Sequence, residues 1–429
     1  MDRRDFLKVS SAAVGSLAVG GVPGMALGKA MPQLGKPIST FKKPLAIAMW
    51  DFSWLLRHYE GGGFEDWDQV LSELARRGYN AIRIDCFPHL VAADNDGKIV
   101  EEFYYSKKNW KPALWGNDAS VYIRPREALL KFLPLCKKYG IYVGLSTWFR
   151  EDDSARHDMP QGVEGFTRVW TETIDFLNEN GLMDNVIYVD MLNEYPLFHG
   201  FVWLSKKLDR ELVNVPDESV KDYERLLQEL PKSKTYNLAQ KVFYRDFATN
   251  SIKKMKEKYP QLDYTFCFSE AGNVPWTDLD FSEFGLLDSH VWFVHNGLIS
   301  DSTGYWEMMG NNDMNYAKIY KAIKARWAEK KDALIKWMDG RIGLAAEHGR
   351  KFGIPVGNTE GWGPIGWMDN PNLDWDWVKE TAEVCAELGV KHNYMFNCTS
   401  NFIHPQFPGY WNDVKWHRKV NSIIRKESV

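Results

Sequence analysis

Short runs rich in Val, Ile, Tyr and Phe alternate with longer stretches of helical periodicity through nearly the whole chain after residue 40. That alternation is the mark of repeated strand–helix units. Eight strands are predicted, over residues 45–50, 81–85, 142–148, 186–192, 264–268, 287–293, 354–359 and 394–397. Between them, apolar residues three and four positions apart predict helices over 66–77, 125–138, 165–178, 236–258, 316–351 and 375–388. Several of these runs reach a glycine, at Arg77-Gly78, Tyr139-Gly140 and Leu388-Gly389, where a left-handed cap would close a helix. Strand, helix, glycine, strand, repeated eight times, predicts an α/β protein of the (β/α)8 or TIM-barrel type, with one domain over residues 31–429. A doubly wound sheet is the alternative. It needs a glycine-rich phosphate turn, and the one dense cluster, Gly61-Gly62-Gly63, lacks the GxGxxG spacing. Residues 94–122 and 195–234 interrupt the regular alternation. Both follow strand carboxyl ends and are expected to roof the catalytic face.

Polar residues at those strand ends converge on one cavity in such a barrel. The fourth strand ends Asp190-Met191-Leu192-Asn193-Glu194, and the seventh ends Gly357-Asn358-Thr359-Glu360-Gly361-Trp362. Strands four and seven lie on opposite sides of an eight-membered ring, so Glu194 and Glu360 should face each other. Facing carboxyls suit glycoside hydrolysis, where one protonates the leaving oxygen and the other attacks or stabilises the anomeric carbon. A separation of about 5–5.5 Å implies retention of configuration, a larger one inversion. Two such acids cannot both ionise cheaply. Arg83, at the end of strand two, could hold Glu360 ionised, leaving the proton on Glu194. Parity poses a condition: Asn193 and Glu194 are adjacent, so both reach the cavity only if the strand bulges or bends there. Glu270, after strand five, is a rival carboxylate with no matching motif.

The composition, 45% hydrophobic and 26% charged, excludes disordered and fibrous classes. A net charge of −4, more negative still without residues 1–30, argues against a nucleic-acid partner. The start, Asp2-Arg3-Arg4-Asp5-Phe6-Leu7-Lys8, resembles a twin-arginine export signal, followed by a mildly apolar stretch and small residues at Ala26-Leu27-Gly28. The resemblance implies cleavage near residue 30 and a periplasmic or secreted protein. No cysteine precedes Cys86, so no lipid anchor is expected, and the five cysteines, without a CxxC pair, read as buried free thiols. No metal or other cofactor is expected. There is no HExxH, and His290 and His295, five apart on an expected strand, should point to opposite faces.

The eight-unit pattern, Asn193-Glu194, Glu360-Gly361 and the Arg83 of Ile82-Arg83-Ile84-Asp85 together resemble clan A of the glycoside hydrolases, nearest the cellulase-like members of family 5, over residues 43–425. The resemblance implies Glu194 as acid/base, Glu360 as nucleophile and Asn193 as the ligand of a sugar 2-hydroxyl. It also matches His290 to the strand-six histidine of the family. The activity implied is retaining hydrolysis of a β-linked oligosaccharide or polysaccharide. Trp292 stands where the family often has tyrosine. The strand-three end, Ser146-Thr147-Trp148, lacks the family's histidine, and strand eight lacks its tryptophan. A sugar-binding barrel without hydrolysis is therefore the second expectation. Among the tryptophans near strand ends (Trp50, Trp54, Trp148, Trp292, Trp362 and Trp367), Trp50 and Trp362 are the favoured stacking platforms for sugar faces, with Trp292 a further substrate contact.

Overall fold

The computed structural model describes residues 34–427 apart from 108–115, 231–234, 272–274, 311–315, 364 and 366–372. The proposed signal, residues 1–30, and Trp367 lie outside the described residues. The strands are β1 (Leu45–Asp51), β2 (Ala81–Asp85), β3 (Phe103–Tyr105), β4 (Val121–Ile123), β5 (Tyr142–Ser146), β6 (Val186–Asp190), β7 (Tyr264–Thr265), β8 (Phe268–Ser269), β9 (Leu287–Trp292), β10 (Val356–Asn358), β11 (Gly361–Trp362) and β12 (Phe396–Cys398). Apart from the antiparallel β3–β4 hairpin, all pairings are parallel, running β9, β10, β12, β1, β2, β5, β6, β7. The run 264–269 closes the ring, because β7 pairs with β6 while β8 pairs with β9. Each of the eight predicted strands is present, and the fold is the TIM-barrel type.

Helices cover the outside with apolar stripes. In Gly162–Glu179, Phe166, Val169, Trp170, Thr173, Ile174 and Leu177 are buried at three- and four-residue spacing, which faces them onto the sheet. Glycine makes room inside the ring. A Cβ on Gly144 would stand 2.1 Å from the Tyr188 ring, and one on Gly357 would meet Phe396 at 2.4 Å. Tyr188 and Phe396, on strands from opposite sides, come within 6.3 Å of each other through that space.

One predicted cap is corrected. Gly389 lies inside the helix Asp376–Lys391, and the left-handed residue beyond it is Asn393, at φ +61°. Gly389 is small there because a Cβ would fall 2.3 Å from the Asn397 amide. The interrupting stretches are tied to strand carboxyl ends as expected. Tyr105 of the hairpin packs edge-on against Phe87, and the Gly200 amide donates to the Phe149 carbonyl at 2.7 Å.

Candidate active site

Four non-glycine residues adopt left-handed backbone conformation where the first four barrel strands end: Asp51 (φ +30°), Phe87 (+50°), Phe149 (+44°) and Glu194 (+49°). Strain of this kind concentrates at functional sites. At Glu194 it answers the parity condition, since β6 stops at Asp190 and both Asn193 and Glu194 lie in the turn that follows. The Glu194 amide donates to Cys267 Sγ at 3.0 Å, and the Asn193 amide to the Thr147 carbonyl at 2.8 Å. Glu360 is fixed from the other side. Its amide donates to Asn358 Oδ1 at 2.7 Å, and the next amide, of Gly361, to Asn401 Oδ1 at 2.7 Å.

Arg83 joins the elements. Its Nε and Nη2 donate to the two Asp51 oxygens at 2.9 and 2.7 Å, Nη2 also to Glu360 Oε2 at 2.6 Å, and Nη1 to Thr359 Oγ1 at 2.8 Å. Thr359 passes its hydroxyl proton to Asp288 at 2.5 Å. His290 stands among them, with Nδ1 3.1 Å from Glu194 Oε1 and 3.5 Å from Glu360 Oε2. One liganding atom from each of Glu194, His290 and Glu360 falls within 4.8 Å of the others. The sequence-predicted Arg83, Asn193, Glu194, His290 and Glu360 are thus gathered at one place.

Burial first, then repulsion from Glu194, pushes the Glu360 carboxyl up to about 8, with His290 and Arg83 pulling the other way. The sequence reading left the retained proton on Glu194. Burial opposes a second proton on His290, and Cys267, Asp288 and Glu360 outweigh it, raising the ring well above its ordinary value. Yet Arg83 Nη1, which can only donate, lies 3.0 Å from Nε2. That contact is attractive only if Nε2 keeps its lone pair, so the geometry favours the neutral ring with its proton on Nδ1, toward Glu194.

The cellulase-like family model, described as sugar-binding cellulase-like, matches residues 47–425. The chain belongs to this cellulase-like family. Among solved structures it is similar to a candidate glycoside hydrolase from Parabacteroides distasonis ATCC 8503, with 31% identity over 90% of this chain and 95% of that one, and a TM-score of 0.74. Lower likenesses join it to a glycoside hydrolase family 5 enzyme from Prevotella bryantii B14 (11% identity, 91% and 100% of the two chains, TM-score 0.47) and to the endo-β-1,4-mannanase from Thermotoga petrophila (9%, 92% and 80%, 0.46). No match was found among curated proteins. Family and fold support a sugar-binding or hydrolytic function.

Within this cellulase-like protein, the tryptophans depart from expectation. Trp50 has no exposed surface: its indole donates to the Ile403 carbonyl at 2.7 Å and its ring packs on Phe64, away from the cavity. Its neighbour Asp51 is the residue that meets Arg83, and alternation along the strand turns Trp50 outward. Trp362 is equally enclosed, donating to the Cys398 carbonyl at 2.8 Å. Neither offers a face to a sugar. Trp292 shares the inward side of β9 with Asp288 and His290 and is 4% exposed. Trp148, which the sequence reading ranked lower, donates its indole proton to Asp51 at 2.8 Å and belongs to the Arg83 network.

His295 was placed on the wrong element. The strand stops at Trp292 and His295 lies in a following turn, so strand parity does not govern it. Burial pushes it down to about 4, with Glu194 acting in the opposite direction. Glu270 is drawn away from the cavity by an ion pair with Arg341 of the helix Tyr316–Phe352 and by the Trp276 indole at 3.3 Å. Among the described residues, Glu194, His290 and Glu360 are the one grouping with metal-ligand spacing. The Arg83 guanidinium, 2.6 Å from Glu360 and 3.0 Å from His290, sets a permanent positive charge beside it and disfavours a cation there. All five cysteines are buried and free.

Proposed function

We propose that this protein is an exported retaining β-glycosidase acting on an oligosaccharide or polysaccharide. Residues 31–429 form the working domain after loss of the twin-arginine signal at 1–30. Glu360 attacks the anomeric carbon while Glu194 protonates the departing oxygen. Glu194 then takes a proton from water, which releases the sugar from Glu360 with its original configuration. Asn193 holds the 2-hydroxyl. The observation that carries this reading is the short approach of Glu194 and Glu360, within 4.8 Å, with Arg83 bonded to the Glu360 carboxylate of the two. A guanidinium that cannot lose its proton favours negative charge on Glu360 in the productive state and so leaves the shared proton to Glu194.

Glu360→Ala is expected to lower turnover of a β-glycoside by at least about 10³-fold with the fold intact, and azide is expected to restore part of it. Full turnover by Glu360→Ala on a substrate that the parent cleaves would overturn the assignment. The second reading, a barrel that binds sugar without hydrolysing it, draws on Trp292, whose indole replaces the titratable hydroxyl common in the family. Calorimetry combined with product analysis on a glycan panel separates the two: heat without released sugar selects the second.

A further inference from the structure

The fifth barrel strand breaks between β7 and β8, and Cys267 occupies the break. Its backbone amide leaves the ladder to donate to Asp190 Oδ1 at 2.9 Å. Its sulfur, fully buried, makes three contacts with the end of the neighbouring strand β6 and the turn that follows it. It accepts the Glu194 amide proton at 3.0 Å, and it lies 3.1 Å from Asn193 Oδ1 and 3.2 Å from Asp190 Oδ2. A thiol has one proton to give. Asp190 Oδ2 already receives the Ser146 hydroxyl at 2.6 Å, whereas no other donor to Asn193 Oδ1 is found among the described residues. The S–H therefore goes to Asn193.

That choice fixes the amide. With Oδ1 held against the sulfur, Nδ2 faces away from it, and Nδ2 is buried with no hydrogen-bond partner among the described residues. With the S–H directed at Asn193, the flipped amide would set two donors against each other. A buried, unpaired N–H group is costly unless a ligand completes it. The same sulfur also pins the amide of a residue in left-handed conformation, Glu194.

We infer that Cys267 is a positioning residue: its thiol orients the Asn193 amide so that Nδ2 is presented to a hydroxyl of the bound sugar, and it anchors the backbone that carries Glu194. The inference rests on the reading of this cavity as a saccharide site. It assigns a role to a buried cysteine that forms no disulfide.

The test uses the 4-nitrophenyl β-glycoside that the parent cleaves fastest among glucoside, mannoside, galactoside and xyloside, together with its 2-deoxy counterpart. Parent, Cys267→Ala and Cys267→Ser are compared by the ratio of kcat/KM on the two substrates. A partly folded variant scales both rates alike, so the ratio reports only the 2-hydroxyl contact. Cys267→Ala is expected to shrink the parent's preference for the hydroxylated sugar by about 10-fold, the order of one hydrogen bond made in the transition state, and Cys267→Ser to restore most of it. The same ratio is measured as calorimetric affinity in the Glu360→Ala background, where the glycosidic bond survives. A preference that stays within about 2-fold of the parent's in Cys267→Ala, in whichever of the two measurements the parent shows one, overturns the inference. Cleavage by the parent with an unchanged ratio leaves the hydrolase reading standing and removes Cys267. Binding without cleavage, with a collapsed affinity ratio, does the reverse.

Discussion

With no exposed surface, the Arg83 guanidinium is stripped of water, and its charge is stable there because Asp51 and Glu360 meet it at 2.7 and 2.6 Å. Removing it leaves buried Asp51 without its counter-charge and the Glu360 carboxyl without its donor. Arg83→Met is therefore expected to destabilise the protein by about 3–5 kcal/mol in urea unfolding and to abolish turnover. Arg83→Lys should not rescue it, because a single ammonium cannot reproduce the forked contacts to Asp51, Glu360 and Thr359. A stability loss below about 1 kcal/mol would show that the Arg83–Asp51 pair is not held as ions. At this scale the sequence marked Glu194 and Glu360, each where an apolar run gives way to a loop, and Arg83 toward the end of strand two, while the family resemblance supplied Asn193 and His290. It missed Asp51, Asp288 and Cys267 as their partners. Those contacts join neighbouring strands across 32 to 74 positions of chain, and no local pattern encodes them.

Strand–helix alternation was legible because half-buried elements must repeat their own period along the chain. The breaks were not. A strand predicted over 264–268 is two short pieces, since the Cys267 amide bonds to the Asp190 side chain and not to a neighbouring strand. β1 carries a register shift between Met49 and Asp51, which turns Asp51 toward Arg83. The antiparallel hairpin of β3 and β4 and the last helix, Val414–Arg425, were not predicted either. The glycines of the strands matter as much as their apolar residues. Gly144→Ala would bring a methyl within 2.1 Å of a ring held inside the barrel, so it is expected to lower stability by about 3 kcal/mol or more. Pairing it with Tyr188→Phe should recover little, because the ring carbon Cζ remains in place. If Gly144→Ala unfolds at the parent's urea midpoint, the barrel floor is not packed as described.

Across the molecule, buried acids and buried histidines set opposing pH limits. Burial pushes Glu360 up to about 8 and Asp85 to about 7. Both bind more protons folded than unfolded, so the stability they favour is present at low pH and lost as pH rises toward 8. Burial pushes His199 and His295 down to about 4 and His404 and His417 to about 3. Their contribution is complete above their ordinary value near 6.5 and is lost as pH falls from there. Thermal stability should therefore peak between about pH 6 and 7 and decline on both sides. Glu360→Gln should raise Tm at pH 8 by about 2–4 °C and leave the acid limb unchanged. An equal Tm for parent and variant across pH 6.5–8 would mean that Glu360 gives up its proton without cost to the fold.

The chain's own pattern determined the barrel, the two facing glutamates and the arginine beside Glu360, because period, order and strand-end placement are one-dimensional properties. Only the folded ring decided that Trp50 and Trp362 turn away from the cavity, that Glu270 is taken by Arg341, and that a cysteine orients Asn193. Those outcomes depend on which face a side chain takes after a bulge or a strand end, and on which neighbour reaches it first. Both are settled by packing in three dimensions.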